Sequence, residues 1–142
     1  MRDTKVLILM RMPTKQQGTS SRSSHKTHRD LIVWRNSMQL LVEAYRVARQ
    51  LPDEERYGLA AQLLRAAVSI PANIAEGFGR SARGDYLRHL SIASGSLREI
   101  ETHLEAVTLL GYLPIEATKA AADAAGRTAY LLYRLRRSLA PR

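Results

Sequence analysis

The chain has 142 residues, enough for one domain with a proper core and too short for two ordinary ones. Cys is absent, which excludes a disulfide-stapled scaffold, a thiol nucleophile, an iron–sulfur centre and any thiolate zinc site. An apolar fraction of 45% is too high for a wholly disordered chain, and 22 Lys and Arg against 13 Asp and Glu leave a net charge of +9, so a basic, helical, soluble protein of the reducing cytoplasm is expected.

The charge is unevenly spread. Residues 1–29 hold seven basic side chains (Arg2, Lys5, Arg11, Lys15, Arg22, Lys26, Arg29) against Asp3 alone. Thr14, Gly18 and the pairs Ser20-Ser21 and Ser23-Ser24 lie in the same stretch, without a sustained period, so 13–29 is expected to be a disordered basic arm. Such an arm can be an electrostatic hook for nucleic acid, or an unstructured leader with no role of its own. Its one apolar run, Val6 to Met10, is shorter than a signal-peptide core, and nothing approaches the ~20 apolar residues of a membrane span. The chain is therefore expected to be neither exported nor membrane-spanning.

Four helices are predicted in the remainder, 30–142. In the first, from about Asp30 to Gln50, Leu31, Trp34, Met38, Leu41, Tyr45 and Ala48 form a heptad-spaced stripe, with Asp30 as cap and Leu51-Pro52 as stop. The second starts at Asp53-Glu54-Glu55, whose charges suit a helix N-terminus, and carries Leu59, Leu63, Ala66, Ile70 and Ile74. Pro71 predicts a kink there, and Gly77 and Gly79 a stop. The third bears the most regular stripe: Tyr86, Leu90, Ala93, Leu97, Ile100, Leu104 and Val107, with Ser81 or Asp85 as cap and Gly111 as stop. Inside it, Ala93-Ser94-Gly95-Ser96 predicts close helix–helix approach, which offsets the cost of an interior glycine. The fourth follows Pro114 and carries Ala121, Ala125, Thr128, Leu132, Leu135 and Leu139. Four long helices with short connections make an all-α, up-down-up-down antiparallel four-helix bundle.

The run from Gln62 to Gly77, QLLRAAVSIPANIAEG, resembles the signature of the four-helix-bundle proteins encoded in intervening sequences of large-subunit ribosomal RNA genes. Asp30 to Trp34, Tyr57-Gly58-Leu59, Arg80, Ala93 to Glu99 and Gly111-Tyr112 match as well, so the resemblance covers 30 to about 138 and leaves the arm outside. The family includes relatives similar to the accessory variability determinant of diversity-generating retroelements. The resemblance implies a ring-like homo-oligomer, a pentamer, with a basic surface and no established enzymatic activity. It implies RNA or DNA as a partner, and a reverse transcriptase if the gene lies in a retroelement.

Within the signature, Arg65, Ser69, Asn73 and Glu76 share one helix face by their spacing. They form either a polar surface for RNA or a partner, or a structural network. In the structural reading Ser69 or Asn73 satisfies backbone near Pro71, and Glu76 pairs with an arginine of a neighbouring helix or subunit. Of the 22 basic residues, 18 are arginine, whose fork suits phosphate. Arg80, Arg83 and Arg88 cluster around the second loop. Arg35, Arg46, Arg49, Arg127, Arg134, Arg136 and Arg137 lie on the first and fourth helices. Any one of these is adequately explained by solvation, but the ensemble suggests nucleic-acid binding. The tyrosines fall mainly on or near core stripes, which predicts backbone-directed binding rather than base stacking.

Catalytic and metal readings are weaker. Arg83 and His89 have the spacing of a ribonuclease Arg…His pair, but Gly84 replaces the polar residue expected after the arginine. Glu99 and His103 sit one turn apart without the second Glu-x-x-His pair of a di-iron bundle. No phosphate loop, dinucleotide fingerprint or hydrolase elbow is present. The expectation is a non-catalytic, cofactor-free, metal-free homo-oligomer that binds nucleic acid as an accessory protein. The alternative is a protein-binding scaffold whose charge is incidental.

Overall fold

The computed structural model describes residues 27–141. Residues 1–26, the bulk of the expected disordered basic arm, lie outside them. Thr27 to Arg29, read above as the end of that arm, instead belong to a short 3-10 turn, His28–Asp30. A capping box closes it: Thr27 Oγ1 accepts from Arg29 N at 3.2 Å, and Asp30 Oδ2 accepts from Thr27 N at 3.0 Å. His28 packs edge-on against Trp34, with ring centroids 5.0 Å apart. Asp30 thus caps the turn rather than the following helix.

Four helices follow: α1 (Ile32–Gln50), α2 (Leu59–Phe78), α3 (Arg83–Leu109) and α4 (Ile115–Leu139). Each packs on its neighbours in chain order, and α4 closes back on α1. This is the antiparallel up-down-up-down bundle, and no strand occurs among the described residues. Leu40, Leu63, Ile70, Ile74, Leu90, Leu97, Ile100 and Leu132 form its fully buried centre. None of the helices is long and apolar enough to cross a membrane.

Local differences from the sequence reading have physical causes. On α1 the buried column is Val33, Ser37, Leu40, Ala44 and Val47. The larger Trp34, Met38, Leu41 and Tyr45 flank it, half-buried. Both columns have heptad spacing, and the smaller side chains take the centre. Ser37 tolerates burial because its hydroxyl donates to Trp34 O at 2.6 Å. The three acids at 53–55 form a separate 3-10 turn, and α2 begins later because Glu55 Oε2 accepts from Leu59 N at 2.8 Å. On α3, Ala82 occupies the cap position with no side-chain hydrogen bond, so neither Ser81 nor Asp85 caps it. Gly111, at φ 75°, provides the left-handed residue that ends the α3 region.

Helix α2 continues through Pro71 to Phe78. Gly77 is therefore not a stop: it is buried within the helix, and Gly79 occupies the C-terminal cap. A Cβ on Gly77 would lie 2.9 Å from both His89 Cβ and Tyr86 Cδ2. The close helix–helix approach expected from Ala93 to Ser96 runs through the buried Ala93 and Ser96, with Ser96 Oγ 2.8 Å from Ser69 Oγ on α2, and Gly77 adds a second close contact. Gly95 is exposed, with nothing within 4 Å of a Cβ built on it.

Candidate functional site

The buried face between α2 and α3 carries a row of hydrogen bonds. Asn73 Nδ2 donates to Ser69 O at 2.8 Å and Ser69 Oγ at 3.1 Å. Ser96 Oγ on α3 donates to Ser69 Oγ at 2.8 Å. With its amide nitrogen so engaged, Asn73 turns Oδ1 toward His89 Nδ1, 3.1 Å away, which fixes the proton on Nδ1. Nε2 is then the acceptor and faces Arg88 Nη2 at 3.5 Å, while Glu76 Oε1, itself an acceptor, lies 3.9 Å away and makes no hydrogen bond to it. His89 is only 4% exposed, so losing these partners would leave a buried imidazole unsatisfied.

The row takes in Ser69 and Asn73; Glu76 stands beside it, 3.9 Å from His89 Nε2, and Arg65 is exposed one turn earlier. Glu76 pairs with Arg80, just beyond its own helix, at 2.8 Å. That bond chiefly, and then the charge His89 carries when protonated, hold the Glu76 carboxyl below its ordinary value. His89 and His103 flank the heptad seam, a place that predicts a helix contact or a subunit interface, and His89 makes the helix contact; Ser96, which completes a heptad-spaced polar column with them, is the unforeseen member. His103 Nε2 is buried without a hydrogen-bond partner. Glu99 is exposed, and no group of three or more metal-ligating side chains occurs among the described residues. Arg83 is exposed at the first residue of α3, whereas His89 is buried with both nitrogens engaged.

The arginines divide by position. The half of the bundle holding the start of α1, the α2–α3 turn and the end of α4 collects Arg35, Arg80, Arg83, Arg88, Arg134, Arg136 and Arg137. Arg35 Nε donates to Arg29 O at 2.8 Å, which adds Arg29 to the group. Arg136 Nη1 crosses from α4 to Ser94 Oγ on α3 at 3.0 Å. Arg46 and Arg127 instead line a groove between α1 and α4, where Arg46 pairs with Glu43 at 2.8 Å. Arg49 lies over the Tyr45 ring near the opposite end.

Three tyrosines depart from the expected placement on core stripes: Tyr57, 88% exposed beside Arg56 at the α1–α2 turn, and two on α4. Tyr130 and Tyr133 are 60% and 58% exposed, beside Arg134 and Arg137. The signal was present: neither position lies on the α4 stripe, and each precedes an arginine by four residues.

The opposite end is acidic and apolar. Tyr112 Oη donates to Glu55 Oε1 at 2.8 Å and ties the α3–α4 turn to the α1–α2 turn. The Leu59 amide, followed by this hydroxyl, holds the Glu55 carboxyl below its ordinary value, and the same bond raises Tyr112. Leu104, Leu109, Ile115 and Thr118 line a cleft of about 370 Å³ between α3 and α4, with Glu101 and Glu105 on its walls.

The family model described as 23S rRNA-intervening sequence protein matches residues 29–134. The fold is similar to the crystal structure of a protein of unknown function from the S23 ribosomal protein family of Bacteroides thetaiotaomicron. The TM-score is 0.69 at 25% identity, covering 75% of this chain and 96% of that one. No curated protein matches the chain.

Proposed function

The chain belongs to the 23S rRNA-intervening sequence protein family, and from that premise we propose that it is a non-catalytic accessory protein that binds nucleic acid through the phosphate backbone. One observation carries this reading: the basic half gathers arginines from separate elements, Arg29, Arg35, Arg80, Arg83, Arg88, Arg134, Arg136 and Arg137, against Asp30, Glu76 and Asp85. Arg83 occupies a helix N-terminus, where the macrodipole disfavours a cation, so helix stability does not account for it. Guanidinium groups there can hold phosphates bidentately with little regard to sequence. The resemblance adds a cytoplasmic homo-oligomer, a pentamer, and a reverse transcriptase as neighbour where the gene lies in a retroelement. The half-buried Trp34, Leu41 and Tyr45 and the exposed Ile32 supply apolar surface for contact between copies.

The test is anisotropy of labelled structured RNA with the full chain, across about 50–200 mM salt. Affinity is expected to fall steeply with salt. Replacing Arg134, Arg136 and Arg137 with Glu should lower the slope of log affinity against log salt by about one per phosphate contact removed. Salt-independent binding, or none, overturns the reading. The acidic apolar cleft favours the second reading, a protein-binding scaffold, whose partner would dock with weak salt dependence.

A further inference from the structure

Tyr130 and Tyr133 stand three residues apart on α4, so their rings rise from one helix face. Each meets an arginine one turn on. The Arg134 guanidinium lies 5.9 Å from the Tyr130 ring centroid, and Arg137 Nη1 donates to the Tyr133 hydroxyl at 3.1 Å. This unit is repeated within one helical turn. Neither ring contributes to the core: both are more than half exposed, and the α4 seam runs through Ala121, Ala125, Thr128 and Leu132. The surroundings are basic, with no Asp or Glu from 124 to 142. Tyr133 and Arg136 also border a groove between α3 and α4 that passes Gly95, over which there is open space. Arg98, on the same groove, is paired with Glu101 at 2.7 Å.

Two exposed rings amid arginines have a use that a phosphate-binding surface does not require. A duplex keeps the faces of its bases stacked and offers only backbone and groove edges. An unpaired strand offers base faces as well, and an aromatic ring can cover them whatever the base. An arginine beside each ring can meet the phosphate that follows the stacked base. Arg137 uses one of its five donors on Tyr133 and retains the rest.

We propose that Tyr130 and Tyr133 are a stacking platform for the bases of single-stranded nucleic acid, with Arg134, Arg136 and Arg137 on its backbone. This rests on the nucleic-acid reading above and narrows it, from any phosphate backbone to one with unpaired bases.

The experiment measures affinity of the full chain for a labelled oligouridylate strand and for a blunt RNA duplex of equal length, at about 50 mM salt. It compares wild type, Tyr130→Ala/Tyr133→Ala and Tyr130→Phe/Tyr133→Phe. The alanine pair is expected to lose about tenfold or more in affinity for the single strand, with duplex affinity little changed. The phenylalanine pair keeps both rings and is expected to retain single-strand binding. Because both side chains are exposed, all three proteins should share one melting temperature. An alanine pair that binds the strand like wild type, or that loses strand and duplex equally, overturns the platform and leaves the backbone reading standing. A phenylalanine pair as weak as the alanine pair also overturns it. Wild type that binds neither probe overturns the nucleic-acid reading, and the platform with it.

Discussion

At one end of the bundle, arginines from α1, the α2–α3 turn and α4 outnumber Asp30, Glu76 and Asp85. At the other, Asp53, Glu54, Glu55, Glu101, Glu105 and Glu116 surround the α1–α2 and α3–α4 turns, with Arg46, Arg49, Arg56 and Lys119 among them. Helix dipoles do not explain the division. In an antiparallel bundle each end presents two N-termini and two C-termini, so the dipoles largely cancel. Some charges suit their own helix, since Glu116 opens α4 and Arg136 and Arg137 close it, but Arg35 and Arg83 stand in first turns against the local dipole. The segregation as a whole creates a field that extends outside the molecule.

The two ends also differ in how they are held together. The basic end depends on close backbone approach at Gly77 and on the buried Asn73–His89 bond. The acidic end depends on a carboxylate, Glu55, that bridges a helix start and a turn hydroxyl.

The largest effect should come from charge. Replacing Arg134, Arg136 and Arg137 with Glu should weaken polyanion binding at low salt by more than about tenfold, whereas Arg49→Glu with Arg56→Glu should leave it almost unchanged. Equal losses at the two ends, measured by anisotropy, would erase the functional distinction between them.

Next in size is packing. Gly77→Leu forces α2 and α3 apart and should lower unfolding free energy by about 1–3 kcal/mol in denaturant titrations. At the acidic end, a Cβ on Gly58 would lie 2.5 Å from Glu55 Oε2, so it displaces the carboxylate from Leu59 N and Tyr112 Oη but leaves the spacing of the helices intact. Gly58→Ala should therefore cost hydrogen bonds rather than packing, and less than Gly77→Leu; the reverse order would refute the contrast between backbone and side-chain closure. Asn73→Ala, which leaves His89 Nδ1 without its acceptor, should cost about 1–3 kcal/mol by the same titration.

A smaller effect concerns pH. Glu55 and Glu76 both have folded values below the ordinary 4.5. A carboxyl lowered by folding stabilises the native state above its unfolded value, and that contribution is lost as pH falls through the folded one. Melting temperature should accordingly drop in acid, below pH 4.5. Glu55→Gln should reduce that drop, because Gln does not titrate. Parallel melting curves against pH for wild type and Glu55→Gln would show that this bridge carries no linkage. The smallest effect should be a gain: Gly95→Ala meets no neighbour and should stabilise by about 0.5–1 kcal/mol.

Much of this architecture was legible in the residues. The α3 stripe from Leu90 to Val107 is buried as its spacing predicts, and the α4 stripe is buried from Ala121 to Leu132. On α1 the large side chains misled: Trp34, Leu41 and Tyr45 look like a seam, yet Leu40, Ala44 and Val47 make it. Glycine was misread in the same way, since Gly95 and Gly77 both interrupt a helix and only one has a neighbour pressed against it. Of the candidate site, the arginines were all visible, but their division between two ends was not. Tyr130 and Tyr133 are easily read as core because Tyr45 and Tyr86 lie on apolar stripes, and only their exposure separates them.

The sequence by itself determined the number and order of the helices and roughly where each lies, because apolar period and Pro and Gly punctuation act within a few residues along the chain. The tertiary structure alone decided which column of α1 faces inward, which glycine lets two backbones approach, and which arginines share an end. Those depend on the rotation of each helix about its axis and on neighbours distant in sequence, such as Ser94 for Arg136 and Glu55 for Tyr112. A helix's own periodicity leaves that rotation open until the other three helices pack against it.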